Sequence, residues 1–129
     1  MAQLAPSLAE IEALAGRALA AIPRQLKQHL GPVVIRVEEF PDPETEEAMG
    51  LDSPFDLLGL YRGVALPLKS VSDPRAEVDM IFLYRRPILD FWCDSGEDLF
   101  AVVRHVLIHE IGHHFGFSDA DMELIENSA

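Results

Sequence analysis

His109-Glu110-Ile111-Gly112-His113 is the segment whose residue types and spacing can do chemistry. On a helix, side chains at i and i+4 lie one turn apart on one face. Both imidazoles can then reach a single metal ion at roughly 2.0–2.1 Å. Glu110 is turned by about 100° from His109. That sets its carboxylate beside the ion, where it can take a proton from a bound water. Two histidines and a glutamate at this spacing are the sequence pattern of zinc-assisted hydrolysis. A tetrahedral catalytic zinc takes three protein ligands and keeps one position open. Asp119 follows Gly116, a residue able to take a positive φ and turn the chain back toward the histidines. Asp119 is therefore the candidate third ligand, and Asp121 is a second candidate. The alternative is that Ser118 or Asp119 N-caps the last helix.

The remaining polar residues near the motif read differently. His105 lies on roughly the same stripe as His109, but eight residues put it about 12 Å along the axis from His113. One ion cannot serve both, so His105 is expected to be a core histidine or one supporting a ligand. His114 is expected to be structural, with a hydrogen bond to Glu110 as the alternative. His29, near a helix end, has no assigned role. Cys93 is expected to be a buried, small apolar side chain rather than a thiolate that blocks the metal. Tyr84, Arg85 and Arg86 are expected to be surface residues at a strand end. The alternative is that one of them stabilises an oxyanion.

These side chains need elements to hold them. Ser7-Leu8-Ala9-Glu10 is a capping box, and the Ala/Leu-rich stretch behind it predicts a helix to about Ala21. Pro23 breaks it, and Leu30-Gly31 marks a stop. Val33, Ile35 and Val37 alternate with Val34, Arg36 and Glu38, the pattern of a half-buried strand. From Glu38 to Asp56 the chain carries eight acidic residues and no Lys or Arg. With prolines at 41, 43 and 54, this segment is expected to be a solvated acidic loop with one helical turn. Leu58 to Leu66 predicts a second strand, with Tyr61 and Val64 packing inward. Pro67, Ser70, Ser72, Asp73 and Pro74 predict a turn-rich connector. Asp79 to Arg85 is a short apolar run suited to a central strand, ended by Pro87. Ser95, with Asp98 three residues on, predicts the cap of a long helix running to Phe115. That helix is apolar on most faces and should be buried. A glutamate and two histidines inside it are costly unless a cation satisfies them. Ser118 to about Glu126 predicts a last short helix.

The whole chain of 129 residues is the size of one domain, with residues 1–30 as its helical N-terminal segment. A hydrophobic fraction of 49% fits a globular protein. The formal charge of −12, from 22 Asp and Glu against 10 Lys and Arg, opposes a nucleic-acid face and an anionic membrane surface. The single cysteine allows neither an internal disulfide nor a cysteine-based zinc knuckle. Without a basic, apolar leader pattern or a membrane-length apolar run, the expected location is cytoplasmic.

The sequence resembles the small bacterial zincin-like metallopeptidases of the minimal type. His109 to Gly116 followed by Asp119 carries the resemblance. Leu58-Gly59-Leu60-Tyr61-Arg62-Gly63 and the apolar strand before Arg85-Arg86-Pro87 add to it, over about residues 30–127. The resemblance implies an α+β fold, with a small mixed sheet packed against a long zinc-binding helix. It implies a Zn2+ cofactor and a peptide or protein substrate, but names no particular one. The motif is also similar to that of metzincins, with Asp119 where they have a third histidine. Met122 stands too near to be their methionine turn. In this reading His109, His113 and Asp119 hold the ion and Glu110 is the general base. Manganese, cobalt or iron would also suit two histidines and one carboxylate. Two rival readings are a noncatalytic metal-binding or regulatory domain and a metal-dependent RNA hydrolase. Bacterial ribosomal-RNA maturation endoribonucleases share the ligand intervals. They lack a glutamate at the position of Glu110, however, and need a basic face.

Overall fold

The computed structural model describes residues 4–63 and 79–127. Within them the chain is α+β, with six helices and a three-stranded mixed sheet. The expected position of Val64 and the connector from Pro67 to Pro74 lie outside the described residues.

Helix α1 (Leu8–Ala20) starts at Ser7, which accepts from the Glu10 N–H while Glu10 reaches back to the Ser7 N–H. This reciprocal box satisfies two donors that the first turn would otherwise leave open. Pro23 ends the helical path and begins the short α2 (Arg24–Lys27). Strand β1 (Val33–Glu38) keeps the alternation its residues imply: Val33, Ile35 and Val37 are half-buried, while Val34 and Arg36 are exposed.

The acidic segment is more ordered than its prolines suggest. Helix α3 (Pro43–Met49) is capped by Asp42, which accepts from the Thr45 N–H at 2.7 Å, and is closed by Gly50 in the left-handed region at φ 63°. Pro43 sits at the first helical position, where no N–H is needed. The expected single turn is therefore a seven-residue helix. A 3-10 turn follows at Pro54–Asp56.

Strand β2 (Gly59–Arg62) is the described part of the expected second strand, and Tyr61 in it is buried. Strand β3 (Asp79–Tyr84) is central: β1 pairs with it in parallel, β2 antiparallel. Its near-continuous apolar run suits burial on both faces, and Ile81 and Leu83 are fully buried.

Two expectations are corrected where β3 ends. Pro87 does not simply stop a strand. Helix α4 (Arg85–Ser95) begins directly after Tyr84, and Pro87 lies in its first turn, where N–H groups lack helical partners anyway. Tyr84 is buried rather than a surface residue. Arg85 donates to the Pro6 carbonyl at 2.6 Å and pairs with Glu39 at 2.9 Å, while Arg86 lies over the Phe40 ring. Neither arginine contact is with the histidine motif.

A third correction follows. Ser95 is the last residue of α4, closed by Gly96 at φ 71°, and the cap of the next helix is Asp98. The two helices abut so closely that the apparent capping box straddles their junction. Cys93 is also corrected: it lies on α4 and is exposed. The buried side of α4 is set by Pro87 and Ile88, and Cys93 falls off it.

Helix α5 (Leu99–His114) is the spine of the molecule, with Val102, Val103, Val106, Leu107, Ile108 and Ile111 buried. Helix α1 covers one side of it with Ile11, Ala15 and Ala18, spaced to form one stripe. Strand β2 comes close on another side. A Cβ on Gly59 would stand 2.8 Å from Val106 Cγ1 and 3.1 Å from the Phe82 carbonyl oxygen. Helix α6 (Asp119–Asn127) covers the C-terminal part of α5 with Met122 and Ile125.

Two predictions follow from this packing. Gly59→Ala should lower stability by about 1–3 kcal/mol through overpacking against α5, read by denaturant titration. A change within 0.5 kcal/mol would show that the strand and helix can separate freely. Burial and the nearby Glu38 carboxylate push the Tyr84 hydroxyl up to about 12. Its neutral form is thus favoured by folding, so stability is full below pH 10 and is lost as pH rises toward 12. Tyr84→Phe should flatten part of that alkaline decline in melts taken from pH 8 to 12; an unchanged slope would contradict it.

Candidate metal centre

Helix α5 presents His105, His109 and His113 at successive steps of four residues, beside the buried apolar positions. The helix then has to stop and send the chain back. Gly116, at φ 82°, provides the turn. The Phe117 N–H bonds to the Gly112 carbonyl at 2.9 Å and the Gly116 N–H to the His113 carbonyl at 3.1 Å. That pair of bonds is a Schellman closure, which satisfies terminal carbonyls and needs the left-handed residue. His29 stacks on Phe115 at 5.4 Å and meets Phe117 edge-on at 5.7 Å, so it packs against this turn.

Ser118 caps α6. Its hydroxyl accepts from the Asp121 N–H at 3.1 Å, and the Asp121 carboxylate accepts from the Ser118 N–H at 3.4 Å. Asp121 is thus engaged in the cap, and Asp119 is left outside it. The Asp119 carboxylate oxygen stands 3.1 Å from His113 Nε2. One ligand atom each from His109, His113 and Asp119 lies within 4.8 Å of the others.

The approach of α6 to α5 depends on Gly112. A Cβ there would overlap the Sδ of the fully buried Met122. Gly112 therefore costs helix propensity inside α5 but lets α6 seat closely.

Glu110 is half-buried, lying near His113 on one side and the Tyr61 backbone of β2 on the other. Burial raises its proton affinity, while His113 and the Tyr61 backbone N–H favour the ionised form. His109 is held below the usual histidine range by burial and by neighbouring His105. The neutral imidazole this favours is the ligating form. His114 stacks on the Tyr61 ring at 3.9 Å, and the Tyr61 hydroxyl donates to Asp79 at 2.5 Å. His114 thus braces β2, which in turn offers an N–H to Glu110.

Sequence reasoning missed Glu126. Its carboxylate contacts His105 Nδ1 at 2.8 Å and His109 Nε2 at 3.4 Å. The signal was available: Met122 and Ile125 define the buried side of α6, and Glu126 is one turn after Met122 and next to Ile125. His105, expected as a core or supporting histidine, is a partly exposed partner of this carboxylate.

The donor set fits a metal of the zinc type. Two ligands each about 2.0–2.1 Å from a tetrahedral ion lie roughly 3.3 Å apart, close to the His113–Asp119 separation of 3.1 Å. A model of the zincin-like metallopeptidase family matches residues 30–129, which contain the sheet, α5 and α6. The chain belongs to this family. A search of curated proteins finds no match. The zincin-like family implies a metal, typically zinc, and hydrolysis of peptides or proteins. Among the described residues, no helix of this zincin-like chain is long and apolar enough to cross a membrane.

The Gly112–Met122 contact can be probed directly. Gly112→Ala gains up to about 1 kcal/mol of helix propensity but overpacks by about 1–3 kcal/mol. The net expectation is a lower Tm together with weaker zinc binding, because α6 carries Asp119. A raised Tm with unchanged zinc affinity would show that Met122 can move aside without cost.

Proposed function

We propose that the chain is a zinc-dependent peptidase in which His109, His113 and Asp119 hold the ion and Glu110 is the general base. The observation that carries this reading is the meeting of two imidazoles and one carboxylate within 4.8 Å at the end of α5, with Glu110 half-buried beside them. When bound, zinc supplies Lewis acidity toward a water and the scissile carbonyl.

The protein's own residues do the rest. Glu110 takes a proton from the attacking water on a carboxylate oxygen, then delivers it to the leaving amine. Partial burial favours that protonated interval, and the Tyr61 N–H holds the carboxylate in its ionised one. Two acceptor oxygens allow Glu110 to keep the Tyr61 contact while facing water.

Strand β2 lies at an edge of the described sheet, next to α5. The ladder bond from the Tyr84 N–H to the Leu58 carbonyl makes Tyr61 and Ile81 a non-bonded pair, so the Tyr61 N–H points away from β3, toward Glu110. An extended peptide laid along this edge would bring its backbone past Glu110, the mode of strand addition. The substrate is thus read as an unfolded or extended segment, gripped mainly through main-chain groups. Residues 1–129 act as one domain in this reading, supported by the packing of α1 on α5 and β1.

Metal analysis of protein purified without chelator should find one zinc per chain. Glu110→Gln should keep the zinc and reduce hydrolysis of an unstructured protein such as casein by about 10²–10⁴-fold. Alanine at 109, 113 or 119 should each lower zinc affinity. Protein that stays metal-free at saturating zinc would overturn the proposal. Undiminished biological activity in Glu110→Gln would favour a noncatalytic metal-binding domain instead.

A further inference from the structure

We propose that α5 and α6 carry a second seat for a divalent transition-metal cation, formed by His105, His109 and Glu126. It shares only His109 with the hydrolytic seat proposed above, and its donors do not depend on the hydrolytic reading.

The three donors converge from two helices. Glu126 Oε2 stands 2.8 Å from His105 Nδ1, and Oε1 stands 3.1 Å from the same nitrogen and 3.4 Å from His109 Nε2. The two rings are 4.0 Å apart between centroids. Ligand atoms about an ion bonded at 2.0–2.2 Å lie roughly 3.3–3.5 Å from one another, so only small shifts would admit one. One atom from each residue falls within 4.8 Å of the other two. The side chains are 44% exposed at His105, 25% at His109 and 23% at Glu126, so the seat is open to entry yet partly enclosed.

The surroundings favour a cation there. Arg104, the nearest basic contact, donates to the Glu126 backbone carbonyl at 3.5 Å and not to its carboxylate. Among the described residues, the carboxylate of Glu126 is met by no Lys or Arg. Its partners are two imidazoles, each able to ligate when neutral. Two imidazoles and one carboxylate are a donor set for zinc, cobalt or iron and a poor one for calcium or magnesium.

The two seats share His109. His105 and His113 are two turns apart, about 12 Å along the axis, so no ion touches both. Each ring nitrogen has one lone pair. Where the hydrolytic seat also draws on His109 Nε2, an ion held through that nitrogen at the second seat takes it from His113 and Asp119. The chain thus offers one ion two positions a turn apart on α5. Occupying the second then leaves the hydrolytic seat short of a ligand.

The test uses Co2+ as the probe, followed by its visible absorption and by equilibrium dialysis on the full chain. Circular dichroism checks the fold of every variant. The double variant His113→Ala/Asp119→Ala dismantles the hydrolytic seat and should still bind one Co2+. Adding Glu126→Gln, or separately His105→Ala, should weaken that residual binding by about tenfold or more. If the double variant does not fold, the single His113→Ala carries the same comparison. Loss of all Co2+ binding in the folded parent variant would overturn the second seat. So would residual binding that neither Glu126→Gln nor His105→Ala changes, which would leave Glu126 as a hydrogen-bond partner only. Binding by the double variant as tight as in the unaltered chain would sink the hydrolytic seat and keep the second.

Discussion

Among the described residues, the carboxylates that meet the motif histidines ride on α6, and the contact of Met122 with Gly112 sets how near α6 can come. Everything chemical here depends on that approach. Without it, α5 would present a row of imidazoles and no carboxylate to complete a ligand set. The missing Cβ at 112 and the left-handed turn at Gly116 solve one problem together. The first lets the helices touch. The second reverses the chain quickly enough for Asp119 to face His113, six residues back.

Helix α5 has two incompatible duties. It buries an apolar surface that holds the fold, and it also carries the histidines and Glu110 of the motif. The conflict is resolved by azimuth. Val102, Val103, Val106, Leu107 and Ile111 take the faces covered by α1, the sheet and α6, while the histidines follow a remaining stripe. Glu110 lies between these regimes. It is half-buried, yet a backbone N–H of β2 meets it, so its charge is neither fully solvated nor abandoned. Burial there raises its proton affinity, so it takes up a proton more readily than a carboxylate on open surface.

Much of this was legible in the sequence because the relevant rules are local. The Ser7 box, the alternation in β1, the apolar run of β3 and the glycine after His114 each specify their element within a few residues. The histidine pair and Asp119 follow from helix spacing and one turn. What was not legible depends on neighbours distant in the chain. Prolines at 41 and 43 suggested a loop, but Asp42 and Pro43 together form a helix start, and Gly50 its end. Pro87 looked like a terminator because its tolerance in a first turn requires knowing that a helix begins at Arg85. Cys93 seemed buried by residue type, whereas the orientation of α4 decided the matter. Glu126 escaped because its partner His105 is 21 residues away and the helices had first to be paired.

The family match begins at residue 30, yet the helix that carries the histidines leans on residues before it. Ile11, Ala15 and Ala18 of α1 are buried against the core that α5 anchors. Two of these are alanines, small enough for helix axes to approach closely. With its apolar faces covered, α5 can spend its remaining stripe on polar residues without unfolding. Arg85 ties the same region down from the other side, reaching from the start of α4 to the Pro6 carbonyl just before α1. Among the described residues, the N-terminal segment places no side chain in either group of candidate ligands. It supplies the rigid backing that lets a helix this apolar end in histidines held at fixed spacing, which is the condition for any of them to share an ion.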